Sequence, residues 1–118
     1  MVIVDTSVWI NHFKKGENIL TSLLNKGEVA LHDFIIGELA CGSLNKRGTI
    51  LSLLQDLHRV DTITIVEYLI FIEKFNLNGK GLGFVDINLL ASAKISGYPL
   101  YTFDKKLFTI AKELHLNF

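Results

Sequence analysis

Apolar residues fall along the chain in two alternating rhythms. Four short runs, Val2-Ile3-Val4, Val29-Ala30-Leu31, Ile63-Thr64-Ile65 and Pro99-Leu100-Tyr101-Thr102, are compact and mostly aliphatic or β-branched. Each is followed by a stretch in which apolar positions recur at helical spacing. Short strands alternating with helices predict βα units around a parallel sheet, a three-layer α/β/α sandwich. Leu116-Asn117-Phe118 is read as a short edge strand.

The helices carry their own punctuation. Asp33 is placed to cap a helix over about 34–44, and Thr64-x-x-Glu67 has capping-box spacing before a helix over about 66–75. Residues 78–83, with three of the nine glycines, form a loop. Asp86 is expected to open a helix in which Leu89, Leu90 and Ala93 follow at i+3, i+4 and i+7, and which Gly97 ends before Pro99. A last helix covers about 105–114. The helix containing Tyr68, Leu69, Ile70, Phe71, Ile72 and Phe75 is apolar on nearly every face. A helix of that kind is buried centrally or covered by a partner, and in a small protein the partner is the better reading.

With 118 residues and no low-complexity tract, repeat or Pro/Gly linker, residues 1–118 read as one domain. Hydrophobic residues make up 49% and charged residues 20%, which excludes a disordered chain. The lone Cys41 rules out an internal disulfide framework and fits a reducing cytoplasm. No signal peptide and no apolar run near the roughly 20 residues of a membrane span are seen, so a cytoplasmic protein without a membrane partner is expected. Twelve basic and twelve acidic residues cancel. That lacks the basic excess of a dedicated nucleic-acid binder, but acids committed to a divalent cation would reverse the local field. The mean hydropathy of +0.36 points to some apolar surface facing another chain.

Most acids sit among polar neighbours, but four stand where an acid is awkward. Asp5 ends the strand Val2–Val4, Glu38 lies in the apolar segment 34–40, Asp86 stands between Phe84-Val85 and Ile87, and Asp104 follows the strand 100–102. Singly, the aspartates read as helix caps and Glu38 as an exposed helix residue. Together they fall where elements of one sheet can bring them to a common edge, the usual ligand edge of a parallel sheet. Crowded carboxylates raise one another's pKa unless a cation neutralises them. Hard oxygen ligands suit Mg²⁺, with Mn²⁺ as its substitute, and such a metal can activate water for displacement at phosphorus.

Other chemistries are poorly served. None of His12, His32, His58 or His115 is read at a strand exit suited to a catalytic base for Ser7 or Cys41, and the clustered Cys and His of a zinc site are absent. Gly79-Lys80-Gly81-Leu82-Gly83 lacks P-loop spacing and no strand feeds it. A receiver-type phospho-acceptor domain would show paired acids after the first strand, where Asp5 stands alone.

The segments Asp5-Thr6-Ser7-Val8-Trp9-Ile10, Gly37-Glu38-Leu39-Ala40-Cys41-Gly42, 85–93 around Asp86, and Leu100-Tyr101-Thr102-Phe103-Asp104-Lys105-Lys106-Leu107 resemble, in order and spacing, the motifs of PIN-domain nucleases, and among them the VapC-type toxins of toxin–antitoxin pairs. The resemblance spans nearly the whole chain. It implies metal-binding and catalytic acids at Asp5, Glu38, Asp86 and Asp104, with a supporting hydroxyl at Thr102. It further implies a Mg²⁺-dependent endoribonuclease acting on RNA, a homodimer, and a VapB-like antitoxin that inserts a segment into the active-site groove. Phe103 and Asn88 depart from the basic residue and histidine common in relatives, which bears on substrate choice. Lys14, Lys15, Lys46, Arg47, Lys105 and Lys106 are candidates to hold an RNA backbone. The alternative is an inert PIN-like module that binds RNA or protein without cutting.

Overall fold

The computed structural model describes residues 1–118. Its elements in chain order are β1 (Val2–Val4), α1 (Thr6–Lys15), α2 (Asn18–Asn25), β2 (Val29–Leu31), α3 (Asp33–Cys41), α4 (Arg47–Gln55), β3 (His58–Arg59), α5 (Ile65–Phe75), α6 (Phe84–Ser96), β4 (Leu100–Tyr101) and α7 (Lys105–Glu113). The four strands form one parallel sheet in the order β3-β2-β1-β4, flanked by the helices in the expected three-layer α/β/α arrangement. β1, β2 and β4 are wholly buried, as strands covered on both faces must be, and this is why they read as unbroken apolar runs. No helix is long and apolar enough to cross a membrane.

Three expectations are corrected. Residues 63–65 are not a strand. The Thr64 hydroxyl accepts the Glu67 N–H and the Glu67 carboxylate accepts the Thr64 N–H, so the reciprocal cap draws Ile65 into the first turn of α5. These bonds also hold the Glu67 carboxyl below its usual range. The third strand is instead the exposed pair His58–Arg59. Asp86 does not open α6; that helix starts at Phe84, and Asp86 is its third residue. Asp33 is likewise the first residue of α3, not its cap.

The cap of α3 is His32, which follows β2 directly. It is fully buried, and its Nδ1 accepts the Phe34 N–H at 2.9 Å. That ring is committed to structure. The expected edge strand at the C-terminus is a single parallel bridge, Leu100 to Asn117. Gly97 ends α6 as expected, at φ +72°, where a side chain would be strained.

One continuous core draws buried residues from every helix except α5. Burial all round belongs to α6, where Ile87 through Ala93 are buried without a break. α5 rests Tyr68, Phe71, Ile72 and Phe75 against the core and leaves Ile65, Val66, Leu69 and Ile70 between 56 and 62% exposed.

Burial pushes the His32 pKa down, against an opposing pull from Asp33, and protonating Nδ1 would destroy its role as acceptor. Unfolded histidine titrates near 6.5, so below about pH 6.5 the unfolded chain binds more protons than the folded one and stability falls with pH. Asn at this position caps without titrating. His32→Asn should therefore flatten the loss of stability between about pH 6.5 and 5 in urea melts, whatever its effect at neutral pH. An unchanged pH slope would refute this role.

Candidate active site at the carboxyl edge of the sheet

In a parallel sheet all carboxyl ends share one edge. Chain order runs outward from β1 through β2 to β3, then returns across the sheet to β4 on the other side of β1. The order reverses between β1 and β4, and a crevice opens at such a switch point. Asp5 follows β1 there, and Thr102 and Asp104 follow β4. The register pairs Ile3 with Leu100 and Val4 with Tyr101, and the Asp5 N–H donates to the Tyr101 carbonyl. Asp5 is thereby set beside Thr102, which is remote from it in sequence.

Asp5 occupies the N-cap position of α1 without using its side chain as a cap. Its Oδ2 instead accepts the Ser7 hydroxyl at 2.8 Å and the Thr102 hydroxyl at 2.7 Å. Each hydroxyl oxygen in turn accepts a backbone N–H, from Phe103 to Ser7 at 3.0 Å and from Asp104 to Thr102 at 3.0 Å. Two short relays thus run from the turn after β4 into one carboxylate, and chained donors of this kind polarise one another. Ser7, considered in the sequence only as a nucleophile, is a positioning residue here; its signal was the i+2 spacing from Asp5.

The other two aspartates each use one oxygen locally. Asp86 Oδ2 accepts the Gly83 N–H at 3.0 Å, and Asp104 Oδ1 accepts the Leu107 N–H at 2.9 Å as the cap of α7. Asp5 Oδ1, Asp86 Oδ1 and Asp104 Oδ2 have no hydrogen-bond partner in the protein. The Asp86 carboxyl is pushed above its usual range, first by burial and then by the charges of Asp5 and Asp104, while the Gly83 N–H opposes the shift. Asp86 thus lies within the field of both Asp5 and Asp104. Glu38 stands to one side, exposed on α3, and takes the Thr6 hydroxyl at 2.6 Å. Asn88 is buried and donates to the Phe84 carbonyl, a bond within α6.

All the free donors are carboxylate oxygens, the chemistry that suits a hard divalent cation and not a soft one. No three acidic, histidine or cysteine side chains are drawn into a closed ligand set. Each aspartate is instead held toward its own element by the hydrogen bonds above. A cavity of about 530 Å³ is lined by Glu38 together with Ile10, Phe13, Lys14, Leu39 and Leu44.

A parallel sheet with acids gathered at its switch point defines a class of acidic-edge α/β proteins. The family can be stated outright: the PIN domain family profile matches residues 2–113, and the chain belongs to that family. It is 43% identical over 108 residues to ribonuclease VapC32 of Mycobacterium tuberculosis, in strains CDC 1551/Oshkosh and H37Rv alike, a match covering 91% of this chain and 87% of the relative. Among solved structures, VapBC-1 from nontypeable Haemophilus influenzae superposes with a TM-score of 0.71 at 18% identity, covering 96% of this chain and 94% of the other. PAE2754 from Pyrobaculum aerophilum gives 0.66 at 17%, covering 92% and 83%. These two share the fold.

Because Asp86 is charged against both burial and like charges, removing its charge should stabilise the metal-free fold. Asn keeps an oxygen for the Gly83 N–H. Asp86→Asn should melt higher than wild type in EDTA near pH 7, by up to about 1 kcal/mol or roughly 3–6 °C, the gain being limited by the group's remaining access to water. Calorimetry showing the variant below wild type in EDTA would mark Asp86 as a structural cap.

Proposed function

We propose that the chain is a Mg²⁺-dependent endoribonuclease and the toxin of a toxin–antitoxin pair, acting in the cytoplasm. One observation carries the reading: three aspartates, Asp5 and Asp104 at the switch point of the sheet and Asp86 within the field of both, each keep one oxygen free of the protein. Membership of the PIN domain family and likeness to a protein named a ribonuclease support it.

Asp5, Asp86 and Asp104 would hold Mg²⁺, or Mn²⁺ in its place, with Glu38 orienting outer ligands or a second ion. Such an ion supplies Lewis acidity, making water nucleophilic near neutral pH and offsetting charge at phosphorus during in-line displacement. Asp5 is the member whose direction is most constrained, since Ser7 and Thr102 both donate to its Oδ2 and leave Oδ1 outward. Thr102 acts through Asp5 and not on the substrate. The inert-module alternative has against it that no protein cation pairs with any of the four acids; the one ion pair in the structure is Arg59–Asp33.

The antitoxin would lie along the groove between α1 and α4. The cavity beside Glu38 is continuous, through Phe13 and Ile50, with an apolar one of about 240 Å³ lined by Trp9, Leu53 and Leu54. Its lining is almost wholly apolar, so the groove suits an apolar segment. Homodimerisation would use α5, whose Ile65, Val66, Leu69 and Ile70 face water in the protomer.

Asp5→Asn should reduce cleavage of single-stranded RNA in Mg²⁺ by at least about a hundredfold while the protein stays folded, read by gel assay and circular dichroism. Wild-type activity in that variant, or metal-independent cleavage by the parent chain, would overturn the site. For the assembly, Leu69→Glu/Ile70→Glu should convert a dimer to a monomer in sedimentation velocity at micromolar concentration; a wild-type chain that sediments as a monomer would refute the dimer.

A further inference from the structure

Beyond the acids lies a second, oppositely charged feature. Lys80, in the loop before α6, meets Lys105 and Lys106, the first two residues of α7, around one surface cavity of about 230 Å³ completed by Thr109 and Ile110. All three lysines are exposed, and none is paired with an acid. In a chain of zero net charge, three unpaired cations from two separate segments around one hollow are a local concentration.

The concentration is framed by ordered neighbours. The first turn of α7 carries Lys105 and Lys106 directly behind the capping Asp104, whose carboxylate accepts the Leu107 N–H. The Lys106 side chain also lies across Gly81, which has φ +78°. A Cβ there would stand 3.1 Å from Lys106 Nζ and 3.2 Å from its Cδ. The left-handed φ favours glycine there, and a side chain would also press Lys106 aside by a few tenths of an ångström. Asp104 caps the same helix, and Gly83, at the end of the same loop, is bonded to Asp86. The hollow therefore borders the acidic edge through both of its anchoring segments.

We propose that Lys80, Lys105 and Lys106 form a seat for a backbone phosphate of RNA next to the one being cut. The seat holds the strand by charge without reading its sequence. It rests on the nuclease reading only for the identity of the polyanion; the acids play no part in its test.

The test is binding of a short labelled single-stranded RNA by fluorescence anisotropy in EDTA, between about 50 and 200 mM KCl. Each phosphate that is no longer neutralised should flatten the plot of log affinity against log salt by about 0.7, so Lys80→Ala/Lys105→Ala/Lys106→Ala, which empties a seat for one phosphate, should flatten it by about 0.7. The same protein should bind roughly tenfold or more weakly at the lower salt. Its melting temperature should be no lower than wild type, because two cations have left the positive end of α7. The three Lys→Arg changes together should restore the slope. An unchanged slope in the alanine variant, or a wild-type chain that does not bind RNA in EDTA, overturns the proposal. Abolished binding to poly-glutamate with an unchanged RNA slope also overturns it and identifies an acidic protein segment as the occupant.

Discussion

The pairing of β1 with β4 is the constraint from which the acidic edge follows. Val4 lies opposite Tyr101, so the next residue of each strand, Asp5 and Thr102, emerges side by side at the switch point. A slip of one residue would turn every side chain of a strand to the opposite face. The register is protected from slipping because Ile3, Val4 and Leu100 are fully buried in the middle layer and Tyr101 nearly so. A hydrophobic requirement inside the sheet thus fixes a polar contact at its end. The Thr102–Asp5 hydrogen bond, with a charged acceptor, adds on the order of 1.5–3 kcal/mol and joins residues far apart in sequence. Core and site reinforce one another.

The aspartates show how one residue type is divided between folding and chemistry. All three stand at helix starts, where a carboxylate is favoured by the dipole and by free N–H groups. Asp104 satisfies that role fully, Asp86 does so from the third position of its helix, and Asp5 does not do so with its side chain at all. The alternatives posed by the sequence, cap or chemistry, are not exclusive, because a carboxylate has two oxygens. One oxygen anchors each side chain, locally for Asp86 and Asp104 and across the sheet edge for Asp5, and the other is left without a protein partner. The anchoring bonds also offset part of the repulsion among three like charges. The Asp86 carboxyl stays raised nonetheless, first by burial and then by the charges of Asp5 and Asp104.

What was legible in the sequence followed from how strongly a local pattern is tied to burial. β1, β2 and β4 announce themselves as apolar runs because they are covered on both faces. β3 is two exposed residues at the sheet edge, His58 and Arg59, and carries no such mark. The β-branched run at 63–65 misleads because a cap formed by Thr64 and Glu67 outweighs strand preference. α2 and α4, short helices on the outside, were not separately visible. At the site, an acid standing after a strand or inside an apolar stretch singled out Asp5, Glu38, Asp86 and Asp104, and the family motifs added Thr102. His32 was set aside as a base, but nothing in its neighbours marked it as the buried cap of α3. Three of the acids are electrostatically linked; Glu38 is set apart because α3 turns it outward toward Thr6.

The two apolar helices complete the physical picture by their contrast. α6 is held by the core: seven consecutive residues are buried, and its sequence needs only a glycine at each end. α5 contributes no fully buried residue, yet it carries a complete capping box at its start and a left-handed Asn76 at its end, with the Lys74 and Lys94 ammonium groups each over the Phe75 ring. Helices of eleven residues are marginal in water without packing, so these local devices matter more for α5 than for α6. A helix stabilised at its own ends depends less on what its outer face touches. Its exposed Ile65, Val66, Leu69 and Ile70 are therefore not accounted for by the folding of the protomer. They raise the hydropathy of the chain without enlarging its core, and their physical rationale lies in what covers them.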